Sequence, residues 1–352
     1  MAYNLKKDEK QNSLESIFAD IFYHCVFADT LSKDDLKRFK LCGIELQENN
    51  LFSLKVALNL GELKLSGLKS LQEILELYSS SFDISTKQEI ILKDIKLQDL
   101  PKVFNILQSA NFSIYFDTGY SIKRVLTCPV NGVDKTQIYD VEELVNRLNS
   151  TFLENKNFFN LPSALQITIS GYEEGCDIGF TPDISFNATK NSKDKVVFAI
   201  KILDTNIGYI NAYQIVNTTR AIASLYRDFG LRNSNSSFEN FIKETTLSKF
   251  FDILTSMLDF NITNSCFVSG VKIPRKPRLG INDSKKDGFS YIGCKFESKN
   301  INKDSLKALI KSLEENGADR LKLTYKANII ILDVPTQNAS TLLSSLRTIG
   351  FE

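Results

Sequence analysis

The residues with the widest chemical repertoire in this chain are few and scattered. Six cysteines stand at Cys25, Cys42, Cys128, Cys176, Cys266 and Cys294. No two are close enough for the CxxC or CxxxC pairs from which zinc sites and iron–sulfur clusters are built. They read as reduced, buried thiols. The single histidine, His24, stands among Phe22, Tyr23 and Phe27 and reads as a packed imidazole. Ser-His-Asp or Cys-His catalysis would rest on it alone, and both are set aside. Glu173 and Glu174 are neighbours in sequence, so on a strand they point apart, and they read as a turn. The surrounding GYEEGCDIG is rich in glycine but acidic, and it lacks the Lys-Ser/Thr of a phosphate-cradling loop. KIPRKPR (272–278) is a basic run with two prolines and no interleaved aromatics, which reads as a solvated linker and not as a nucleic-acid contact.

The bulk composition sets the frame for these residues. A chain of 352 residues corresponds to roughly two to three domains. It can bury a large core without covalent staples. It is 43% hydrophobic and 24% charged with a net charge of +1, so electrostatics argue neither for nucleic acid nor for an anionic membrane. No apolar run reaches the ~18 residues of a membrane helix. Residues 1–13 are polar and basic with no secretory core after them, and a cytoplasmic location is the expectation.

The elements that must position any site follow from periodicity. Residues 14–30 are helical in pattern, and DDLKRFKLCGIELQ (34–47) is a helix that turns at Gly43. FSLKVAL alternates as a strand from Phe52. Ser66 is placed to cap a helix whose apolar positions are Leu68, Leu71, Leu75 and Tyr78. FDISTKQEIILKDI (82–95) is a strand pair with its turn near Lys87, 97–112 is a second helix, and FSIYFD (112–117) a final strand. The same order returns at Phe289. Leu306, Leu309, Ile310 and Leu313 form the helix face, Gly317 its stop, and LKLTYKANIIILDV places Lys326 on Lys87 and Asp333 on Asp94. The offset is 237 residues from Phe52 to Phe289 and 239 from Phe112 to Phe351. Matched order throughout implies duplication, and short units of this kind pair to share a core.

Between the copies lies one larger module. Asp140 followed by Glu143 opens a helix with capping-box spacing, and Val141, Leu144, Val145, Leu148 and Phe152 are its buried face. ITIS (167–170), DISFNA (183–188) and VVFAIKI (196–202) are strands. Ile215, Ile222, Tyr226 and Phe229 mark a helix ending at Gly230, and 238–258 is helical again. The order is A–B–A′, and duplication predicts a B′ after A′.

TCPVNGVDKTQIYDV (127–141), FFNLP (158–162), ISGYEEGC (169–176) and DISFNA (183–188), in this order, resemble the siroheme-dependent sulfite and nitrite reductases. RFKLCGIELQENNLFSLKVALNLGEL (38–63) resembles the opening of that family's first half-domain. The resemblance covers about residues 35–352. It implies an α+β fold in which two repeated ferredoxin-like half-domains bracket one nitrite/sulfite-reductase-type α/β module. The expected divisions are an N-terminal arm and helix (1–33), the first half-domain (34–117), the module (118–270) and the second half-domain (271–352).

The resemblance also implies cofactors and site residues. The family binds siroheme, and its fourth module holds a 4Fe–4S cluster through four cysteines that find no counterpart here. Lys55, Lys87 and Lys123 fall where the family has arginines around the siroheme carboxylates, with Arg124 beside them in the place of an asparagine. Cations suit such a polyanion, although the planar fork of arginine is lost at three positions. The two substrate lysines that follow the family's Leu-Pro fall on Ala164 and Gln166, and neutral side chains stabilise an oxyanion poorly. The family's glycine-rich loop falls near KILDTN (201–206), which has no glycine, and a basic loop has become NSNSS (233–237). The expectation is a reductase-family protein incomplete and non-catalytic alone, a scaffold or partner-dependent subunit. The alternatives are the siroheme-side subunit of a split reductase, and a tetrapyrrole or anion binder. No catalytic or metal-ligating residue is assigned. Siroheme is the cofactor implied, a 4Fe–4S cluster only where a partner chain supplies it. The partner expected is that second chain or another copy of this one, with no membrane and no nucleic acid.

Overall fold

The structure is a computed structural model that describes residues 14–27, 30–113, 115–153, 155–173, 180–233, 235–263, 278–296, 298 and 300–352. The described residues form two compact units. One comprises the chain up to Asp117 with Leu279–Asn282 and Gly288–Glu352. The other runs from Thr118 to Arg278 and takes in Asp283–Asp287. Cys176, Cys266, Glu174 and most of KIPRKPR lie outside the described residues. Among the described residues no helix is long and apolar enough to cross a membrane.

The first unit opens with α1 (Leu14–Phe27) and α2 (Lys33–Leu41). Ser32 and Asp35 form a reciprocal capping box that starts α2. Arg38 holds α1 to α2 through an ion pair with Asp20 and a 2.8 Å bond to Ser16. His24 is packed as expected: 14% of its side chain is exposed, edge-on to Phe39 and 3.7 Å from Asp35.

Gly43, at φ +75, makes the turn that ends α2. Then come β1 (Ile44–Leu46), β2 (Phe52–Val56), β3 (Glu62–Lys64), α3 (Leu65–Leu77), β4 (Ser81–Ile84), β5 (Ile90–Ile95) and α4 (Leu100–Ser109). Two expectations are corrected here. Ser66 lies inside the first turn of α3 and caps nothing, because β3 runs straight into the helix through Lys64. Among the described residues of 112–117 there is no strand: Ser113 makes one isolated bridge, to Ala57. β1 and β5 already occupy both sides of β2, so only its end is open.

The second unit holds β6 (Leu126–Thr127), α5 (Glu142–Phe152), β7 (Ile167–Ser170), β8 (Ile184–Lys190), β9 (Val196–Ile202), β10 (Thr205–Ile210), α6 (Ile215–Phe229), α7 (Phe238–Thr245) and α8 (Leu247–Ser256). Its sheet runs β10-β9-β8-β7-β6, antiparallel from β10 to β8 and parallel from β8 to β6. KILDTN forms the hairpin between β9 and β10, with Leu203 at φ +53. The sequence pattern shows only a loop there and gives no sign of β10. The stretch expected as one helix over 238–258 breaks at Thr246, at φ +65, whose hydroxyl caps α8. Tyr226, Phe238, Phe241 and Phe250 stack into one aromatic cluster that joins α6, α7 and α8.

The repeat completes the first unit with β11 (Gly280–Asp283), β12 (Phe289–Cys294), β13 (Asn300–Asn302), α9 (Lys303–Glu315), β14 (Arg320–Leu323), β15 (Ile329–Pro335) and α10 (Ala339–Thr348). The copies exchange strands. One sheet runs β1-β2-β5-β4-β13 and the other β11-β12-β15-β14-β3, so each copy closes an edge of the other's sheet. α3 packs on α9, with Leu71, Ile74, Leu309 and Leu313 almost fully buried in one core that spans both copies. Each such side chain contributes about 1.5–3 kcal/mol by burial. Duplication is visible in the backbone as well. Left-handed residues pair at a constant offset: Gln88 with Ala327, Asp94 with Asp333, Asn111 with Gly350. Register shifts fall at matching places in the β2–β5 and β12–β15 ladders.

Candidate functional site

The 127–141 motif folds into a loop that is tied to itself. Asn131, buried, is its centre. Its amide donates to Asp140 (2.8 Å), and its carbonyl oxygen accepts from Gln137 (2.9 Å) and from the Val141 N–H (3.2 Å). Gln137 in turn accepts the Gly132 N–H at 2.7 Å and donates to the Tyr139 carbonyl at 2.6 Å. Asp140 does not cap α5 in the expected way. The helix begins after Val141, and Asp140 accepts from the Glu142 N–H while bound to Asn131. Asp134 is 2% exposed and is neutralised by Arg278 at 2.6 Å. These residues hold the loop's shape and display no reactive group. Asn131→Ala should therefore lower stability by about 1–2 kcal/mol, since it strands the buried Val141 N–H and removes the bonds to Gln137 and Asp140; urea unfolding followed by circular dichroism measures this.

The segment after FFNLP contacts two polar groups of shifted acidity, Asp183 and Tyr226. Gln166 donates its backbone N–H to Asp183 at 2.7 Å, and its side-chain amide turns to the carbonyls of Arg124 and Ile167, both at 3.2 Å. Burial pushes the Asp183 carboxyl up to about 6. The Gln166 bond opposes this, and the Glu239 charge adds to it. Ser163 Oγ and Tyr226 OH share a 2.7 Å hydrogen bond beside it. Burial raises the Tyr226 hydroxyl, the Ser163 bond draws it back, and Asp183 raises it further. Ala164 completes the segment without a functional group. The structure thus sets a carboxylate against the position where the resemblance expects a substrate lysine. Sequence reasoning misses Asp183, which reads only as the opening of a strand. Its neighbour in space, Gln166, lies 17 positions away.

The four expected cofactor cations divide between the units. In the first, Lys55 on β2 is 28% exposed and bound to Glu45 at 2.9 Å, with its ammonium 5.7 Å from the centre of the Tyr115 ring. Burial, then the charges of Asp117 and Glu89, hold the Tyr115 hydroxyl protonated. Lys87 is exposed in the β4–β5 turn, where its N–H is held by Ser85. In the second unit Lys123 and Arg124 are adjacent and half-buried on the segment before β6. Their backbones are fixed by Leu165 and Gln166. In the first unit Lys55 does not fit a siroheme carboxylate. Lys55 is already neutralised in surroundings rich in carboxylates, and Gln166 is turned onto backbone. In the second unit Lys123 and Arg124 combine positive charge with partial burial. Among the described residues, no three of His, Cys, Asp and Glu are grouped to hold a metal ion. Burial raises the Cys25 thiol to about 11 and those of Cys42 and Cys294 to about 12, so all three are unreactive at neutral pH.

Two family models match this chain, together covering more than half of it. The nitrite/sulfite reductase ferredoxin-like half domain matches residues 45–110, and the nitrite and sulphite reductase 4Fe-4S domain matches residues 118–261. The chain belongs to the nitrite and sulfite reductase family. Among its relatives are the assimilatory ferredoxin-dependent nitrite reductase of Haloferax mediterranei, 22% identical over 97% of this chain and 65% of that protein. The ferredoxin–nitrite reductase of Synechococcus elongatus is 22% identical over 83% and 61%. The ferredoxin sulfite reductase of Mycobacterium tuberculosis is 22% identical over 92% and 64%. The chain thus spans less than two thirds of the length of these relatives. The solved structure of the NirA protein of M. tuberculosis superposes over 100% of this chain and 68% of its own, with a TM-score of 0.82 at 20% identity, which establishes the same fold.

Proposed function

We propose that this chain carries the reductase fold without a complete reducing site of its own, and that it works with a second chain or as a non-catalytic binding scaffold. The observation that supports this is the Gln166–Asp183 pair, joined at 2.7 Å. Reducing nitrite or sulfite needs fixed positive charge on the oxyanion and acids that deliver protons to it. At positions 164 and 166 there is neither, and above pH 6 Asp183 adds negative charge. The span 118–261 contains two cysteines, Cys128 and Cys176, against the four thiolates a 4Fe–4S cluster takes, so this span by itself does not supply a cluster's ligands. Siroheme, where bound, supplies the electron-rich iron at which the family's chemistry occurs. In this chain Lys123 and Arg124 are the groups suited to one of its carboxylates.

The test is anion consumption by the purified chain with siroheme and reduced methyl viologen. The expected result is a rate of nitrite and sulfite loss equal to that of siroheme alone. Turnover by the single chain above that background would overturn the proposal. The Lys123–Arg124 pair favours a second reading, tetrapyrrole binding without reduction. It predicts a saturable shift of the siroheme absorption band that is lost in Lys123→Ala/Arg124→Ala.

A further inference from the structure

The first unit contains a small, partly enclosed cavity of about 110 Å³ between α1, β2 and α4. Its walls are aromatic: Phe18, Phe22, Phe104, Phe112 and Tyr115, with Leu107 beneath. Phe18 and Phe104 meet edge to face at 4.9 Å, so these two walls brace each other. Ser113 and Gln108, both exposed, stand at the opening with Asn105.

We propose that this cavity is a binding site for a small uncharged aromatic molecule the size of one six-membered ring. Size sets the first limit. A dry cavity of about 150 Å³ lined by Leu, Ile and Phe accommodates benzene, and this one is smaller. Shape and chemistry set the second. Ring faces and edges on several sides favour an aromatic guest in offset or edge-on contact. Charge sets the third. The cation that borders the cavity, Lys55, is held by Glu45 at 2.9 Å, and Glu45 is itself kept ionised by that bond. An entering carboxylate would lose water without gaining a free counter-charge, which is unfavourable. A hydroxyl on the ring can meet Asn105, Gln108 or Ser113 at the opening.

The experiment is ligand-observed fluorine NMR of 4-fluorophenol and 4-fluorobenzoate with the full chain, beside thermal unfolding in benzene-saturated buffer. The expected result is saturable broadening for the phenol, at least tenfold weaker binding for the benzoate, and a higher melting temperature with benzene. Ser113→Phe, at an exposed position, should close the opening and weaken the phenol at least tenfold while leaving the circular dichroism spectrum unchanged. Phe104→Leu enlarges the cavity and should shift preference several-fold toward fluoronaphthol. Absence of saturable phenol binding would overturn the proposal and mark the cavity as a packing void. Equal affinity for the benzoate, or a folded Ser113→Phe that binds as well as the parent, would overturn it too.

Discussion

Asp183→Asn should make the protein more stable at pH 7, by about 2–3 kcal/mol, and should flatten part of its pH profile. Burial raises the Asp183 carboxyl from an ordinary value near 4 to about 6, so the folded chain holds a proton there that the unfolded chain has released. Between pH 4 and 6 the folded state binds more protons, and stability falls as pH rises through that window. Above pH 6 the full cost of a buried carboxylate remains, at about 1.4 kcal/mol for each tenfold change in its proton affinity. Asparagine removes the charge, and its carbonyl oxygen can still accept the Gln166 N–H now bound at 2.7 Å. The measurement is urea unfolding of both proteins at pH 4, 5, 6 and 7. The difference between them should be near zero at pH 4 and widest at pH 7. A difference that does not change with pH would show that Asp183 ionises as an ordinary carboxylate.

Arg320→Ala should act in the opposite direction, lowering stability by about 2–4 kcal/mol. Arg320 on β14 is 29% exposed and binds carboxylates from both copies: Glu62 on β3 at 3.1 Å and Asp333 on β15 at 2.6 and 2.5 Å. Lys322, 1% exposed, approaches the same Glu62 at 3.7 Å. Without the guanidinium, Asp333 loses both of these bonds and Glu62 keeps the more distant Lys322 ammonium, where one copy's β3 joins the other copy's sheet. Arg320→Lys should recover only part of the loss, because a point charge cannot reach both partners as the fork does. A double-mutant cycle with Asp333→Asn isolates the bond, since asparagine tolerates the left-handed backbone there, at φ +49. Additive losses in that cycle would show that the ion pair with Asp333 contributes nothing to the effect of Arg320.

Much of the fold is local and legible in the sequence. The faces Leu68–Leu71–Leu75 and Leu306–Leu309–Ile310–Leu313 follow from helical spacing, and Gly43 and Gly317 from the positive φ their turns require. The register of the repeat is legible too, down to Asp94 on Asp333. The errors fall where a local pattern competes with distant partners. Residues 112–117 alternate like a strand, yet β1 and β5 hold both sides of β2. Asp140 has a capping residue's chemistry, but Asn131 engages it. β10 escapes notice because the turn before it, KILDTN, matches the place of a cofactor loop in the family.

The sequence by itself determined the family and the order of the modules. Those properties reside in residue identity and spacing along the chain. Only the tertiary structure decided what the retained charges do. Lys55 stands ten positions from Glu45, and a strand pairing joins them. Asp183 is an ordinary carboxylate in any peptide. Burial beside Gln166 and Glu239 raises it, and burial belongs to the assembled fold. The exchange of β3 and β13 between the copies depends in the same way on contacts more than two hundred residues apart, which no local pattern encodes.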